Sequence, residues 1–380
     1  MSLYLDNAAT SFPKPEEVYI AVMHAMRNIG ASPGRGGHRR SVEAGRLLFQ
    51  TREAIARLFN ISDSSRIIFT HSATEALNIA FRGLLLPGDH VITTSMEHNS
   101  LLRPLYSLRS QSVDVTAVKA GGDGRVDPDD VRRALRPNTR LIAISHISNV
   151  TGVIQEIDLM AAIAREAGAL FLLDAAQSAG SKEIDVNKIG VDILAVPGHK
   201  GLFGPQGTGI LYVSPSVRIK PLLAGGTGSD ATSEAQPDTM PDGFEAGTHN
   251  LPGIAGLKSG VEFVMSLGAT KIGEKIKLLT NMAAQRLEEI PGITLHNSSD
   301  PLHRGGVLSF TVKGMDPSEI AFMLDQDFDI AVRAGLHCAP QAHRTICTYP
   351  DGTLRISPGF FNTPEEIAVF SEAIATCCSK

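Results

Sequence analysis

The sequence predicts an α/β fold, with a mostly parallel seven-stranded sheet covered by helices and a smaller α+β C-terminal domain. Three observations carry that expectation. Short β-rich runs at 67–70, 90–94, 113–118, 140–145, 169–173, 192–196 and 209–213 mostly alternate with helical or loop segments, the order that builds a helix-covered parallel sheet. The stretch 224–250 is rich in Gly, Thr, Asp and Pro with little periodicity, and reads as one long loop. Beyond it the rhythm changes to helical spacing near 253–266 and 270–289, a strand near 305–311 and a helix near 316–325. Strands near 329–332 and 353–356 and a helix from 363 complete it.

Ahead of the first strand, Val42, Leu47, Leu48, Ile55, Leu58 and Phe59 fall at helical spacing, so 40–59 is expected to be an amphipathic packing helix. The closing Cys377-Cys378-Ser379-Lys380 reads as a frayed end. With 380 residues, 43% hydrophobic and 20% charged, the chain can bury a full core and suits two domains. The net charge of −5 comes from mixed signs without a basic block, so nucleic acid is not an expected partner. No apolar run approaches the ~20 residues that span a bilayer, so no membrane partner is expected. Met1 to Thr10 has neither the basic start nor the apolar stretch of a signal peptide, and a cytoplasmic protein is expected. Four cysteines without a CxxC pair point to reduced thiols, one of which can be chemical, and no metal is expected.

The strongest local signal is Phe171-Leu172-Leu173-Asp174-Ala175-Ala176-Gln177-Ser178, followed by Asp192-Ile193-Leu194-Ala195-Val196-Pro197-Gly198-His199-Lys200. An acid ends one strand and a lysine follows another. Ligands of open α/β sheets bind beyond the carboxyl ends of the strands, where Asp174 and Lys200 can converge. Pyridoxal phosphate (PLP) chemistry needs this pair: a carboxylate keeps the ring nitrogen protonated and a lysine forms the Schiff base. Read singly, each is as easily a capping Asp and a solvated Lys. A phosphorylated cofactor also needs an anchor. In Phe69-Thr70-His71-Ser72-Ala73-Thr74-Glu75, Ser72 and Glu75 have capping-box spacing, which puts free N–H groups beside Ala73 and Thr74. The plain alternative is a capping box and nothing more.

His98 in Met96-Glu97-His98-Asn99 and Asn149 in Ser145-His146-Ile147-Ser148-Asn149 follow two further strands. A histidine there can stack on a ring and move protons, and an asparagine can contact a ring oxygen or a substrate carboxylate. Loop and capping roles compete for both. The glycines of residues 32–38 resemble a dinucleotide loop, but no strand precedes them and no acid follows at the expected place, which rejects a Rossmann site. Lastly, Val332-Arg333-Ala334-Gly335-Leu336-His337-Cys338-Ala339-Pro340 and Leu354-Arg355-Ile356-Ser357 combine thiol, imidazole and two guanidiniums. Positive charge favours the attacking thiolate, and a strand arginine suits a bidentate grip on a carboxylate. A buried cysteine and a surface arginine are the bland alternative.

In this order and over almost the whole chain, these segments resemble the class V branch of fold-type I PLP enzymes, and specifically the cysteine desulfurases. Tyr4-Leu5-Asp6-Asn7-Ala8-Ala9-Thr10 looks like that family's start. The resemblance implies a Schiff base at Lys200, stacking by His98, a pyridinium partner in Asp174 and a ring-oxygen contact from Gln177. It implies that Ala73, Thr74 and His199 hold the phosphate, and that Thr248 reaches it from a second subunit, so a homodimer is expected. Arg355 with Asn149, and Arg333 beside them, would bind the substrate carboxylate. L-cysteine would give L-alanine and a Cys338 persulfide that passes to an acceptor protein or a reductant, and selenocysteine or cysteine sulfinate would fit the same grip. Arg333 to Ala339 is similar to the SufS-like (group II) form, with the cysteine on a short loop. Pro197 departs from it, standing where such members usually carry a serine phosphate ligand. With the resemblance, the large PLP-binding domain is drawn at 14–250 and the small one at 1–13 with 251–380.

Two rivals stand beside this reading. Another class V PLP enzyme, such as an aminotransferase, epimerase or kynureninase-like hydrolase, would make Cys338 incidental. A catalytically silent binding protein that keeps the fold for dimerisation would stay colourless with added PLP.

Overall fold

The computed structural model describes residues 3–34, 36–228, 233–298 and 300–379; residues 229–232 of the loop expected at 224–250 therefore lie outside the described residues. The chain opens with β1 (Leu3–Tyr4), α1 (Glu16–His24) and α2 (Arg39–Phe59). The large layer follows as β2 (Ile67–Thr70), α3 (Ala73–Leu84), β3 (His90–Thr94), α4 (Asn99–Leu108), β4 (Asp114–Val118), α5 (Pro128–Arg133) and β5 (Thr139–Ser145). It continues through α6 (Ile157–Glu166), β6 (Leu170–Asp174), α7 (Val186–Ile189), β7 (Ile193–Pro197) and β8 (Gly209–Val213). The remainder is α8 (Leu251–Leu267), α9 (Ala269–Glu288), β9 (Ile293–His296), β10 (Leu308–Val312) and α10 (Pro317–Phe328). After these come β11 (Ile330–Ala331), β12 (Arg333–Gly335), α11 (Pro340–Thr345), β13 (Thr353–Ile356) and α12 (Pro364–Cys378).

Seven strands form the central sheet in the order β2-β8-β7-β6-β5-β3-β4. The pairs from β4 through β7 are parallel, and β8 runs antiparallel to both β7 and β2. Since β8 reverses twice, β2 points the same way as the parallel strands, and its carboxyl end lies with theirs. Side chains alternate across the pleat. Ile68, Val91, Leu141, Leu172 and Leu211 pack with Leu77 and Phe81 of α3 and Leu101 and Leu105 of α4 on one face. On the other face Ile67, Ile142, Phe171, Leu194 and Ile210 meet Leu48 and Ile55 of α2 and Met160 of α6. Burial on both faces explains why these strands read as near-continuous apolar runs.

The order runs outward in both directions from the junction of β3 and β5, the kind of switch where an open α/β sheet leaves a crevice. A four-stranded antiparallel sheet, β12-β13-β10-β9, builds the second layer with α9, α10 and α12. Its core holds Phe310, Phe370, Leu324 and Ile356, joined by Leu3 and Leu5 from the chain start, where β1 pairs in parallel with β11. The division at 13/14 and 250/251 remains a proposal; α8 starts just past it and lays Leu251, Ile254, Leu257 and Val261 into the large core.

Some elements differ from expectation. The strand expected over 329–332 is only the two residues of β11, and β12 follows it as a separate short strand. The C-terminal residues do not fray before 379: α12 runs to Cys378, because Ile367, Phe370, Ile374 and Cys377 continue one buried stripe and a Thr363/Glu366 capping box fixes its start. Among the described residues, no helix is long and apolar enough to cross a membrane.

Candidate active site

The carboxyl ends of β2, β3, β5, β6 and β7 open on a cavity of about 240 Å³, closed on the far side by β12, the turn after it and β13. Every site residue named from the sequence lines it except Thr248, which lies in a separate recess beside Phe69, Gly207 and His249.

At the end of β2 the chain turns into α3. The Ser72 hydroxyl caps the helix by accepting from the Glu75 N–H at 3.2 Å. The expected box is only half formed, because the Glu75 carboxylate turns instead to the His71 N–H at 2.5 Å and its Nδ1 at 2.9 Å. Ala73 and Thr74 thus occupy the first turn, where N–H groups lack intrahelical partners and the dipole favours an anion. Thr74 Oγ1 lies 2.7 Å from the Ser100 hydroxyl.

His98 follows β3 as the N-cap of α4. Its Nδ1 accepts from the Ser100 N–H at 3.0 Å, which leaves the neutral ring's proton on Nε2 and fixes its plane. Burial, then the positive charge of Lys200 and of the arginines, lowers its pKa to about 4, so the ring is neutral at physiological pH.

Asp174 ends β6 and is 3% exposed. Oδ1 accepts from the Ala176 N–H at 2.9 Å, and Oδ2 lies 3.4 Å from the Ser145 hydroxyl. Burial pushes its pKa up, while the Ala176 N–H, Lys200 and Ser145 pull against the rise. Lys200, just past β7, meets the cavity with its amine otherwise walled in by protein. Desolvation lowers its pKa to about 8; Asp174 opposes the shift, whereas Arg355 and Arg333 add to it. The carbonyl of His199 is gripped by the Ser11 N–H at 3.1 Å, the Thr10 hydroxyl at 3.1 Å and the Lys14 ammonium at 3.3 Å, which fixes the backbone next to Lys200. The His199 ring is half-buried, and its buried Nδ1 is unpartnered among the described residues. Gln177 Nε2 donates to the Ala8 carbonyl at 3.1 Å.

The opposite wall comes from the smaller layer. Arg355 on β13 is 1% exposed. It donates through Nη1 to the Asn149 carbonyl at 3.0 Å and through Nη2 to Asp6 Oδ1 at 2.6 Å, while Nε has no partner among the described residues. Asn149 sends its amide to the His337 carbonyl at 2.7 Å. Arg333, opposite Arg355 in the strand register, reaches Cys338 Sγ at 3.7 Å. Cys338 is exposed, yet it lines the same cavity as Lys200.

Sequence reasoning missed Ser145 and Ser100 as members of the site, gave the His337 imidazole no role of its own, and did not join Asp6 to Arg355. Ser100 had a usable signal, two places after a strand-end histidine where a cap forms; Asp6 had none, lying 349 positions from its partner.

Lysine and carboxylate at neighbouring strand ends, a helix start for an anion and a guanidinium wall with a thiol define an enzyme of the class V aminotransferase type. The Aminotransferase class-V family model matches residues 3–370, and the chain belongs to that family. Within it, the chain belongs with the cysteine desulfurases. It is 39% identical over 378 residues to a probable cysteine desulfurase of Methanothermobacter thermautotrophicus, covering 98% of this chain and 94% of that one. It is 34% identical over 377 residues to a probable cysteine desulfurase of Pyrococcus abyssi, covering 97% and 92%. The apo structure of a cysteine desulfurase from Thermococcus onnurineus NA1 matches with a TM-score of 0.94 at 32% identity, over 100% of this chain and 95% of that chain.

Proposed function

We propose that this cysteine desulfurase uses PLP held on Lys200 to move the sulfur of L-cysteine onto Cys338. The observation that carries the reading is the single cavity shared by the Lys200 amine, the Asp174 carboxylate, the Arg355 guanidinium and the Cys338 thiol. The residues present fit the cofactor. Lys200 would bind it, Asp174 would face its ring nitrogen, Gln177 its ring oxygen and His98 its ring face. Ala73, Thr74 and the unpartnered His199 imidazole would serve its phosphate, with Pro197 supplying no donor there. Bound PLP supplies an electron sink for charge that develops on the substrate Cα.

The chain's own residues do the rest. Arg355 and Asn149 hold the substrate carboxylate, and Arg333 stands beside them. Lys200 would be released when the substrate amine takes its place, and its desolvated amine, whose pKa in the unmodified chain is lowered to about 8, would then stand ready to take the Cα proton as general base. The Cys338 thiolate then forms an S–S bond to the substrate sulfur as the Cβ–S bond breaks. The breaking pair stays with carbon, which is protonated to give alanine, and sulfur remains as a persulfide. Exposure of Cys338 suits its hand-over to an acceptor protein, and its free thiol suits a cytoplasmic setting. The short turn between β12 and α11 favours the SufS-like subgroup. Thr248, outside its own chain's cavity, suits a phosphate contact across a homodimer.

The test is incubation of PLP-loaded protein with L-cysteine while alanine, sulfide and protein persulfide are followed together. Cys338→Ala should keep the PLP absorbance, form no persulfide and lose turnover by roughly a hundredfold or more. Full desulfuration by that variant overturns the assignment, and a monomer with undiminished PLP affinity overturns the role of Thr248.

A further inference from the structure

The turn that follows β6 and the first half of α9 enclose a second cavity, of about 440 Å³, that the chemistry above does not use. It lies at the seam between the two layers, and its size falls in the range of about 300–1,000 Å³ in which small molecules bind. The sequence sets this seam. Thr270, Gly273, Glu274 and Lys277 recur at the i, i+3, i+4, i+7 spacing that puts them on one face of α9, and all of them line the cavity. A Cβ at Gly273 would collide with the Ser181 carbonyl oxygen, so glycine lets α9 lie directly on the turn that carries Lys182. One helical turn beyond that contact, Lys277 enters the same space as Lys182, and Arg304 enters it from the segment before β10.

Charge in this cavity is sorted by depth. Lys182, Lys277 and Arg304 are half-buried, whereas Glu183 and Glu274 are exposed. Neither lysine and neither glutamate forms an ion pair among the described residues. Arg304 is fixed by its Nε–H, which donates to the Ser298 carbonyl at 2.6 Å. Burial lowers the pKa of Lys182, and the charge of Lys277 adds to the fall, so the two ammoniums repel each other across a poorly hydrated space. Such a pair is relieved by a doubly charged anion between them.

We propose that this cavity binds the phosphate group of a small hydroxylated phosphate ester, gripped by Lys182 from the large layer and by Lys277 and Arg304 from the second layer. A lysine ammonium meets phosphate as a point charge and an arginine as a planar donor fork. The exposed carboxylates of Glu183 and Glu274 accept hydrogen bonds from hydroxyls and repel further negative charge, which selects an ester with a single phosphate. Because the cations come from both layers, the bound ester also braces one layer against the other. None of these charged residues lines the Lys200 cavity, so the site is independent of the PLP reading.

The experiment is isothermal titration calorimetry of the PLP-loaded protein at constant ionic strength, with glycerol 3-phosphate, inorganic phosphate and glycerol as probes. Loading with PLP keeps the start of α3 from answering in place of the new site. Glycerol 3-phosphate should bind with a dissociation constant below about 1 mM, inorganic phosphate more weakly, and glycerol not at all. Lys182→Met and Lys277→Met, which keep the apolar stem, should each weaken glycerol 3-phosphate by about tenfold or more. The ester should raise the melting temperature of wild type more than that of either variant. Weaker binding by wild type than about 1 mM, inorganic phosphate binding more tightly than the ester, or Met variants that bind as wild type does would each overturn the proposal. Should a variant fail to fold, wild type decides alone: glycerol 3-phosphate should shield Lys182 and Lys277 from an amine-acetylating reagent, read by mass spectrometry, and absence of shielding overturns it. If the protein takes up no PLP, the function above fails while the two lysine variants, titrated in the bare chain, still test this site.

Discussion

Arg355→Leu is the perturbation whose size the structure sets most closely. A guanidinium has five N–H donors. Two are spent on the Asn149 carbonyl and Asp6, so three remain, among them the unpartnered Nε–H. An Nε–H and a neighbouring terminal N–H form the fork that takes a carboxylate through both oxygens. Removing one partner of such a desolvated charge pair costs about 2–5 kcal/mol, or roughly 30- to 5,000-fold in kcat/KM. Two local facts draw the expectation to about a hundredfold, in the lower half of that range. Arg333 sits opposite Arg355 in the strand register and retains part of the positive field. The Asp6 side chain, 19% exposed, recovers some hydration when its partner goes. The loss should fall mainly on KM, because the carboxylate is gripped alike before and during the reaction. The assay is alanine formation from L-cysteine, with melting temperatures to confirm folding and cysteamine, which lacks the carboxylate, as the control substrate. Arg355→Leu should not slow cysteamine further, and Arg355→Lys should recover only part of the loss, since a point charge does not make the fork. A folded Arg355→Leu enzyme within about threefold of wild type on L-cysteine would refute the reasoning.

Two further outcomes follow from the same site. The Lys200 pKa, lowered by burial from 10.5 to about 8, makes the rate of PLP capture by apo-protein climb with pH and level off above about 8. Because the folded value is depressed, the associated stability is full above 10.5 and drains away as pH falls through about 8. Stopped-flow absorbance checks this, and a climb continuing to 10.5 would show that the amine is not desolvated. Gly209→Ala would place a Cβ 2.6 Å from the Ser72 carbonyl carbon and 2.6 Å from Thr70 Oγ1. Ser72 is backbone and cannot swing away, so overpacking of about 1–3 kcal/mol should displace the start of α3. Binding of PLP should weaken more than binding of pyridoxal, which lacks the phosphate; equal weakening of both would separate that turn from the phosphate.

The seven sheet strands stand within one residue of where their composition put them, because burial on both faces leaves little freedom in such runs. That β8 is antiparallel was not legible, since direction depends on the route of the connection and not on the strand's own residues. β9 escaped because Ile293–His296 is only partly buried and mixes Thr and His with its apolar residues. α1 escaped because it buries only Val18. In the site, Asp174, Lys200, His98 and Asn149 were legible because they follow strands, and strand ends converge in an open α/β sheet. The contacts between the two layers were not. Asn149 to His337 joins residues 188 apart, and no local pattern carries that pairing.

Those contacts between layers are what reconcile an exposed thiol with a cavity-bound reaction. His337 and Cys338 both hold left-handed backbone angles, with φ of 47° and 58°. For residues with a Cβ this costs about 1–2 kcal/mol each, and it persists only where the surroundings fix it. Three separate elements do so. Asn149, past β5, grips the His337 carbonyl at 2.7 Å; the Asn99 N–H, at the start of α4, grips the Cys338 carbonyl at 2.8 Å; Thr353 on β13 meets the buried His337 ring at 3.0 Å. Two of these anchors adjoin residues that line the same cavity: Asn99 follows His98, and the carbonyl of Asn149 holds Arg355. The thiol-bearing backbone is thus registered to the same strand ends as the reacting groups, and rotation about the Cys338 Cα–Cβ bond is the freedom that remains to Sγ. A side chain of that length, fixed at the cavity rim, faces the cavity on one side and solvent on the other without the loop having to open.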